Sequence, residues 1–176
     1  MNKNYTSLRP QDVLIALKIL LIEEGAWKVM DIANSLEMSQ SEISQGLKRL
    51  QVSKLLDSKK KHILHTSFFE FLIYGLKYVY PMVVSSIVRG IPTAHSAKVL
   101  NMEFNEDPND IFVWEYEKGT TRGQSLLPLY RTVPIAAAKD NSLYELLALL
   151  DVIRIGRVRE VMMAKQLLEK RIIGEK

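Results

Sequence analysis

Residues 31–66 read "DIANSLEMSQSEISQGLKRLQVSKLLDSKKKHILHT", and the fold turns on how this stretch is interpreted. Ile32, Ala33 and Leu36 share one face of a short helix that begins near Val29. "EMS" then makes a turn. Ser39 followed by Glu42 is a capping box, in which each side chain satisfies a backbone N–H at a helix start. It opens a helix from Gln40 to about Val52 with Ile43, Leu47 and Leu50 on its buried face. The opposite face carries Gln40, Ser41, Ser44, Gln45 and Lys48. Gly46 among them costs roughly 1 kcal/mol of helix stability against Ala, which points to close approach of a neighbour. Beyond Ser53, "KLLDSKKKHILHT" reads as strand, turn, strand, with Leu55, Leu56, Ile63 and Leu64 apolar and Lys59, Lys60 and Lys61 at the tip.

Upstream, Pro10 suits the first turn of a helix, where its missing N–H is not needed. Val13, Leu14, Leu17, Leu20 and Leu21 follow at helical spacing, and Gly25 is expected to stop the helix. Three helices and a basic hairpin thus occupy the first part of the 176-residue chain. Charge is focused there. Residues 39–65 hold six Lys and Arg against two Asp and Glu, a net of +4 that equals the charge of the whole chain. Such a focus is the footprint of a polyanion-binding surface. Short neutral polar side chains on a helix approach base edges without repelling phosphates, and Gln pairs bidentately with adenine. A basic hairpin tip reaches phosphates or a minor groove.

The run "VMDIANSLEMSQSEISQGLKRLQVSKLL" with its short basic hairpin resembles winged helix-turn-helix regulators, most closely the MarR-like kind, over about residues 10–66. The resemblance implies that the third helix enters the major groove and that the hairpin, the wing, touches flanking backbone. Ser39, Gln40, Ser41, Ser44, Gln45 and Lys48 then fall on the recognition helix, and Lys59, Lys60 and Lys61 on the wing. This wing is shorter than the family's and has no arginine at its tip. Winged helices also serve as protein-binding modules.

The remainder is less regular. "FFEFLIYGLKYVYP" is helical in pattern, with Phe68, Phe71, Leu72, Leu76 and Val79 as a stripe, expected to pack on the wing and to end at Pro81. Residues 83–110 look irregular, with a tight loop or short helix near Thr93 and an acidic turn at "NEDPND". "IFVWEYEKGTTRGQSLLPLY" has the strongest strand signal, with Ile111, Val113, Glu115 and Glu117 alternating with Phe112, Trp114 and Tyr116. "VPIAAAKD" suits a short helix. Ser142 and Glu145 form a second capping-box pattern ahead of Leu143, Leu146, Leu147 and Leu150, and Gly156 breaks that helix. A last helix from Arg157 to Ile172 carries Val158, Val161, Met162, Lys165, Leu168 and Ile172 in rough register. Arg154, Arg157 and Arg159 cluster at the bend, where they either contact DNA or, as the expected reading, pair with Asp151 and Glu160. "YGLKYVYP", "RGIPTAHSA" and "LYELLALLDVIRIGRVRE" are similar to the C-terminal halves of uncharacterised bacterial winged-helix proteins, a resemblance that names no function.

Other chemistry is missing from the pattern. There are no cysteines, hence no disulfide framework and no thiolate site. His62 and His65 would face opposite sides of a strand, and His95 stands alone in its loop. No nucleophile elbow, phosphate-cradling loop or zinc spacing occurs. "MNKNYTSLRPQD" lacks a signal-peptide core and no apolar run reaches about 18 residues, so the expected location is the cytoplasm.

The expectation is therefore an α+β, mostly helical protein that is not an enzyme and needs no cofactor or metal. Residues 1–80 form a winged helix-turn-helix DNA-binding domain, and residues 81–176 an α+β dimerisation or partner-binding region ending in helices. Its function is that of a sequence-specific duplex-DNA-binding repressor, acting by promoter occlusion as a homodimer built on residues 142–172, since one recognition helix covers few base pairs. The alternative is an antitoxin-like module that masks a partner protein, with the alternating aromatic strand pairing at an edge. A third reading is a small-molecule sensor with a pocket near Trp114 and Tyr116.

Overall fold

The computed structural model describes residues 7–22, 27–59, 61–98 and 110–174, and within them the chain is α+β and mostly helical. Helix α1 (Pro10–Ile22) is its centre. Val13, Leu14, Ile15, Ala16, Leu17 and Ile19 are all buried, so the helix is apolar on every side and is covered on every side. It packs against α2 (Val29–Leu36), α3 (Gln40–Val52) and, from the other half of the chain, α7 (Asn141–Ile155). Residues on both sides of position 80 therefore line one apolar core. Gly25 lies outside the described residues.

Helix α2 buries Ile32, Ala33 and Leu36, as its spacing predicts. It ends where Glu37 takes a left-handed φ of 52°, which lets the Met38 N–H reach the Ala33 carbonyl at 3.0 Å. The capping box of α3 is formed: the Glu42 N–H donates to Ser39 Oγ at 3.2 Å and the Ser39 N–H to Glu42 Oε2 at 2.9 Å. Ile43, Leu47 and Leu50 point inward.

After α3 the expected pair of strands is reduced to one bridge, Leu56 with Ile63. Two flanking hydrogen bonds, Asp57 N–H to the His62 carbonyl and Leu64 N–H to the Leu55 carbonyl, complete it. Asp57 explains the economy. Its carboxylate accepts the backbone N–H groups of Lys59, Lys61 and His62 at 3.3, 2.6 and 3.0 Å, a side-chain closure of the turn that leaves little for a ladder to satisfy.

The next helical stretch is interrupted: α4 (His65–Glu70), a π-helical turn (Phe71–Gly75) and α5 (Leu76–Val79). Phe68, Leu72 and Leu76 are buried as expected, but the wider π turn rotates α5 and leaves Val79 exposed. The stretch packs on α7 and on α8 (Val158–Ile172).

Residues 83–110 are not irregular throughout, because β1 (Val84–Pro92) runs through them. It pairs antiparallel with β2 (Phe112–Glu115) through Gly90–Glu115, Ile91–Trp114 and Pro92–Val113. It pairs antiparallel with β3 (Thr121–Leu126) from Val84–Leu126 to Gly90–Thr121. Strands β2 and β3 meet in parallel at Phe112–Gln124, closing the three strands on themselves rather than forming a hairpin. Gly90 permits this closure: a Cβ there would lie 1.9 Å from the Trp114 carbonyl oxygen. A 3-10 turn (Ala94–Ser96) comes after β1, as the "PTAHSA" composition suggests.

Helix α6 (Val133–Lys139) forms as expected, with Pro134 in its first turn. Helix α7 is capped earlier than Ser142. Asp140, in extended backbone, accepts the Leu143 N–H at 3.0 Å, while Glu145 pairs with Arg171 at 2.8 Å. Helix α8 packs through Glu160, Ala164, Leu168 and Ile172, leaving Val158 and Met162 outside, so the stripe read through those two residues is corrected.

Asp151 of α7 ties the sheet segment to that helix. It is buried and accepts Thr93 Oγ1 at 2.8 Å and Trp114 Nε1 at 2.7 Å on one oxygen, and Arg154 at 2.9 Å on the other. Arg154 also donates from Nε to the Tyr80 carbonyl at 2.9 Å, so the expected Arg154–Asp151 pairing is found in the interior. Burial pushes the Asp151 carboxyl up from its ordinary pKa, and the Arg154 charge with the donated hydrogen bonds opposes it.

Candidate nucleic-acid interface

The outer face of α3 is uncovered. Gln40, Ser41, Ser44, Gln45 and Lys48 are all exposed, and Val52 continues the stripe at 62% exposure. Gln45 donates to Ser41 Oγ at 3.2 Å, and Gln40 reaches Met30 Sδ at 3.2 Å. Both contacts are exposed, so either amide is free to exchange its partner for a ligand. Ser39 is exposed too, but its hydroxyl is engaged: it accepts the Glu42 N–H and donates to Glu42 Oε2 at 2.8 Å.

What presents this face is the contact behind it. Gly46 lies against α1, where a Cβ would come within 2.5 Å of Ile15 Cδ1 and 3.0 Å of Asp12 Oδ1. This is the close approach the sequence implied. Beside it Arg49 donates from Nε and Nη2 to the two oxygens of Asp12, both at 2.7 Å, and the Arg9 N–H adds a third bond at 2.8 Å. Asp12 is 0% and Arg49 6% exposed. The bidentate bond to Asp12 raises the guanidinium pKa further. Arg49 therefore leaves the surface charge counted over residues 39–65, and the exposed cations described there are Lys48, Lys54, Lys59 and Lys61.

The three lysines expected on a wing divide. Lys59 is exposed at the tip, and Lys60 lies outside the described residues. Lys61 folds back with Nζ 4.6 Å from the centre of the Trp27 ring and 3.4 Å from the Trp27 carbonyl oxygen. That ring holds it by cation–π attraction beside the start of α2. The bridged turn is tied to α3 by Gln51, whose Nε2 donates to the Ser58 carbonyl at 2.8 Å.

The opposite flank of α3 is met by residues that sequence reading did not single out. Tyr130 Oη donates to Glu42 Oε1 at 2.5 Å across 88 positions. That bond, with those from Ser39 next in weight, holds the Glu42 carboxyl down to about 2. In return it pushes the Tyr130 phenol up. Arg131 is exposed, with its guanidinium carbon 5.7 Å from the Tyr130 ring centre. Lys139 of α6 pairs with Glu37 in the α2–α3 turn. Nothing local in "PLYRTVP" announces these contacts.

Elsewhere the pattern is poorer in chemistry. A shallow cleft of about 340 Å³ lies between the turn after β2 and helices α6 and α7, with Tyr116, Lys118, Asn141 and Tyr144 in its wall. Trp114 is not in that wall: it is 1% exposed and faces Asp151. His95 bonds the Asp110 carbonyl at 2.7 Å. Among the described residues no group of three or more His, Asp or Glu is placed to hold a metal, and no helix is long and apolar enough to cross a membrane. No family model matches the chain, and no curated protein or solved structure matches it.

Proposed function

We propose that α1, α2, α3 and the bridged turn after them act as a winged helix-turn-helix, and that the protein is a sequence-specific duplex-DNA-binding regulator repressing by occlusion of a promoter. The observation that carries this reading is the uncovered stripe of α3: neutral polar side chains at the centre and Lys48 within it, with Lys54, Lys59 and Lys61 exposed on the segment that follows. An α-helix fits the major groove, and neutral amides and hydroxyls read base edges there while lysines meet phosphates. Specific binding by one such helix covers few base pairs, so the working species is a homodimer. Leu143, Leu146, Leu147 and Leu150 are buried within the chain and are not available to it. The most exposed apolar side chains of α8 are Val158 and Met162, at 80% and 60% exposure.

The test is fluorescence anisotropy on duplexes selected from the parent genome, over a salt series. Log affinity should fall with log salt at about −0.9 per phosphate neutralised. Replacing Lys59, Lys60 and Lys61 together by Ala should weaken selected and random duplexes alike. Gln45→Ala should mainly relax sequence preference, by about 1–3 kcal/mol for a lost bidentate contact. No duplex binding even at low salt defeats the proposal.

A second reading, a module that masks a partner protein, draws on the first half of β1. From Val84 to Val88 that strand pairs with β3 alone, and Val84 and Ile87 are exposed. An open edge of this kind accepts an added strand. The alternating aromatic strand does not offer one, since Phe112, Val113 and Trp114 are buried.

A further inference from the structure

Around α3, at about 100° per residue, Ser41, Ser44, Gln45, Lys48 and Val52 centre on one direction. Gln51 projects about 75° to one side of that centre and Glu42 about 105° to the other. Gln51 is the residue that holds the wing through Ser58, and Glu42 is the residue that holds Tyr130. The exposed stripe is therefore walled on both flanks, by the wing on one and by the Tyr130–Arg131 corner on the other.

A helix lying in a major groove about 12 Å wide has a phosphate strand on either side. The wing supplies cations to one of them. On the other side the groups nearest the stripe begin unfavourably, because Glu42 sits in the first turn of α3 and its carboxylate repels phosphate. The structure holds that group in place with hydrogen bonds that keep it ionised. Tyr130 donates to one oxygen and Ser39 to the other, at 2.5 and 2.8 Å. Arg131 stands over the Tyr130 ring with an exposed guanidinium, whose charge also helps hold the Glu42 carboxylate ionised. Arginine is suited to phosphate because its planar fork donates two parallel bonds.

We propose that Arg131 is a DNA-phosphate contact, reaching the strand opposite the one met by the wing, and that Tyr130 is a positioning residue that fixes the corner to the recognition helix through Glu42. This rests on the reading of α3 as the base-reading helix and adds to it a contact from the C-terminal half. The interface then draws on a residue about 70 positions beyond the wing, in the turn that leads into α6.

The experiment measures anisotropy of the full-length protein and of Arg131→Ala, Arg131→Lys and Lys139→Ala on one selected and one random duplex between about 0.1 and 0.3 M salt. One lost phosphate contact per protomer is two per dimer and reduces the steepness of the log–log salt dependence by about 1.8. On the same relation the affinity loss of the dimer for Arg131→Ala is about sixtyfold at about 0.1 M, shrinking to about ninefold at about 0.3 M, and equal on both duplexes. Arg131→Lys should recover part of the loss. Lys139→Ala, whose partner is Glu37, should leave the slope unchanged. Arg131→Ala binding with the slope and affinity of the parent overturns the proposal while leaving the reading of α3 intact. If the unaltered protein binds no duplex, both fall together. Since Arg131 is exposed, an unchanged thermal unfolding midpoint is expected, and a shift of several degrees would assign it a structural role instead.

Discussion

The Asp12–Arg49 pair offers the sharpest test of how α3 is presented. Replace Arg49 by Met, which has nearly the same helix propensity and a similar stem. The Asp12 carboxylate, 0% exposed, then keeps one donor of three, the Arg9 N–H at 2.8 Å. Removing one member of a buried ion pair costs about 3–5 kcal/mol, because the survivor is left charged and unpaired away from water. In a chain of this length each kcal/mol moves the unfolding midpoint by roughly 2–4 °C, so a drop on the order of 10 °C is expected. Asp12→Leu should cost a comparable amount, stranding the guanidinium. The double variant Asp12→Leu with Arg49→Met should be less harmful than either alone, since apolar replacement of a whole buried pair is often neutral or better. Urea unfolding monitored by circular dichroism at neutral pH, with the slope checked for constancy, measures all four proteins. If the double variant loses the sum of the two single losses, the pair is not coupled and the argument for its place in the fold is wrong.

Two further outcomes come from the geometry. Glu42 should titrate by NMR at about 2, and in Tyr130→Phe its midpoint should move up toward the ordinary glutamate value, because the largest stabiliser of its charge is gone. A depressed carboxylate stabilises the fold fully above its unfolded value near 4.5 and loses that contribution as pH falls from there toward 2, so the Tyr130→Phe and parent proteins should converge in stability at acid pH. Gly90→Ala should disrupt the sheet, because its Cβ would meet the Trp114 carbonyl oxygen at 1.9 Å and only backbone displacement relieves it. Overpacking of this kind costs about 1–3 kcal/mol or more, and a parent-like unfolding midpoint with unaltered tryptophan near-UV dichroism would contradict the strand closure described.

Much of the helical scaffold could be read from residues a few positions apart. The Ser39–Glu42 cap, the inward faces of α2 and α3, the Phe68–Leu72–Leu76 stripe and the break at Gly156 all rest on contacts within four residues, where chain geometry alone sets who meets whom. The exposed face of α3 came with them, since fixing the buried side of a helix fixes the other. Gly46 was legible as a position of close approach, but not as the seat of α1.

Tertiary structure decided the rest. Strand β1 carries Gly and Pro and no clean alternation, and it becomes a strand only because β2 and β3, about 20 or more positions away, pair with it. Arg49 counts as surface charge until Asp12, 37 positions earlier, takes it into the core. Leu143, Leu146, Leu147 and Leu150 look like excess for a partner until α7 is laid against α1 and α5. Tyr130 reaches Glu42 only when the chain has closed over 88 positions. Periodicity and caps encode what a segment does to itself. Which buried donor finds which acceptor depends on how whole helices pack, and no local pattern of residues carries that information.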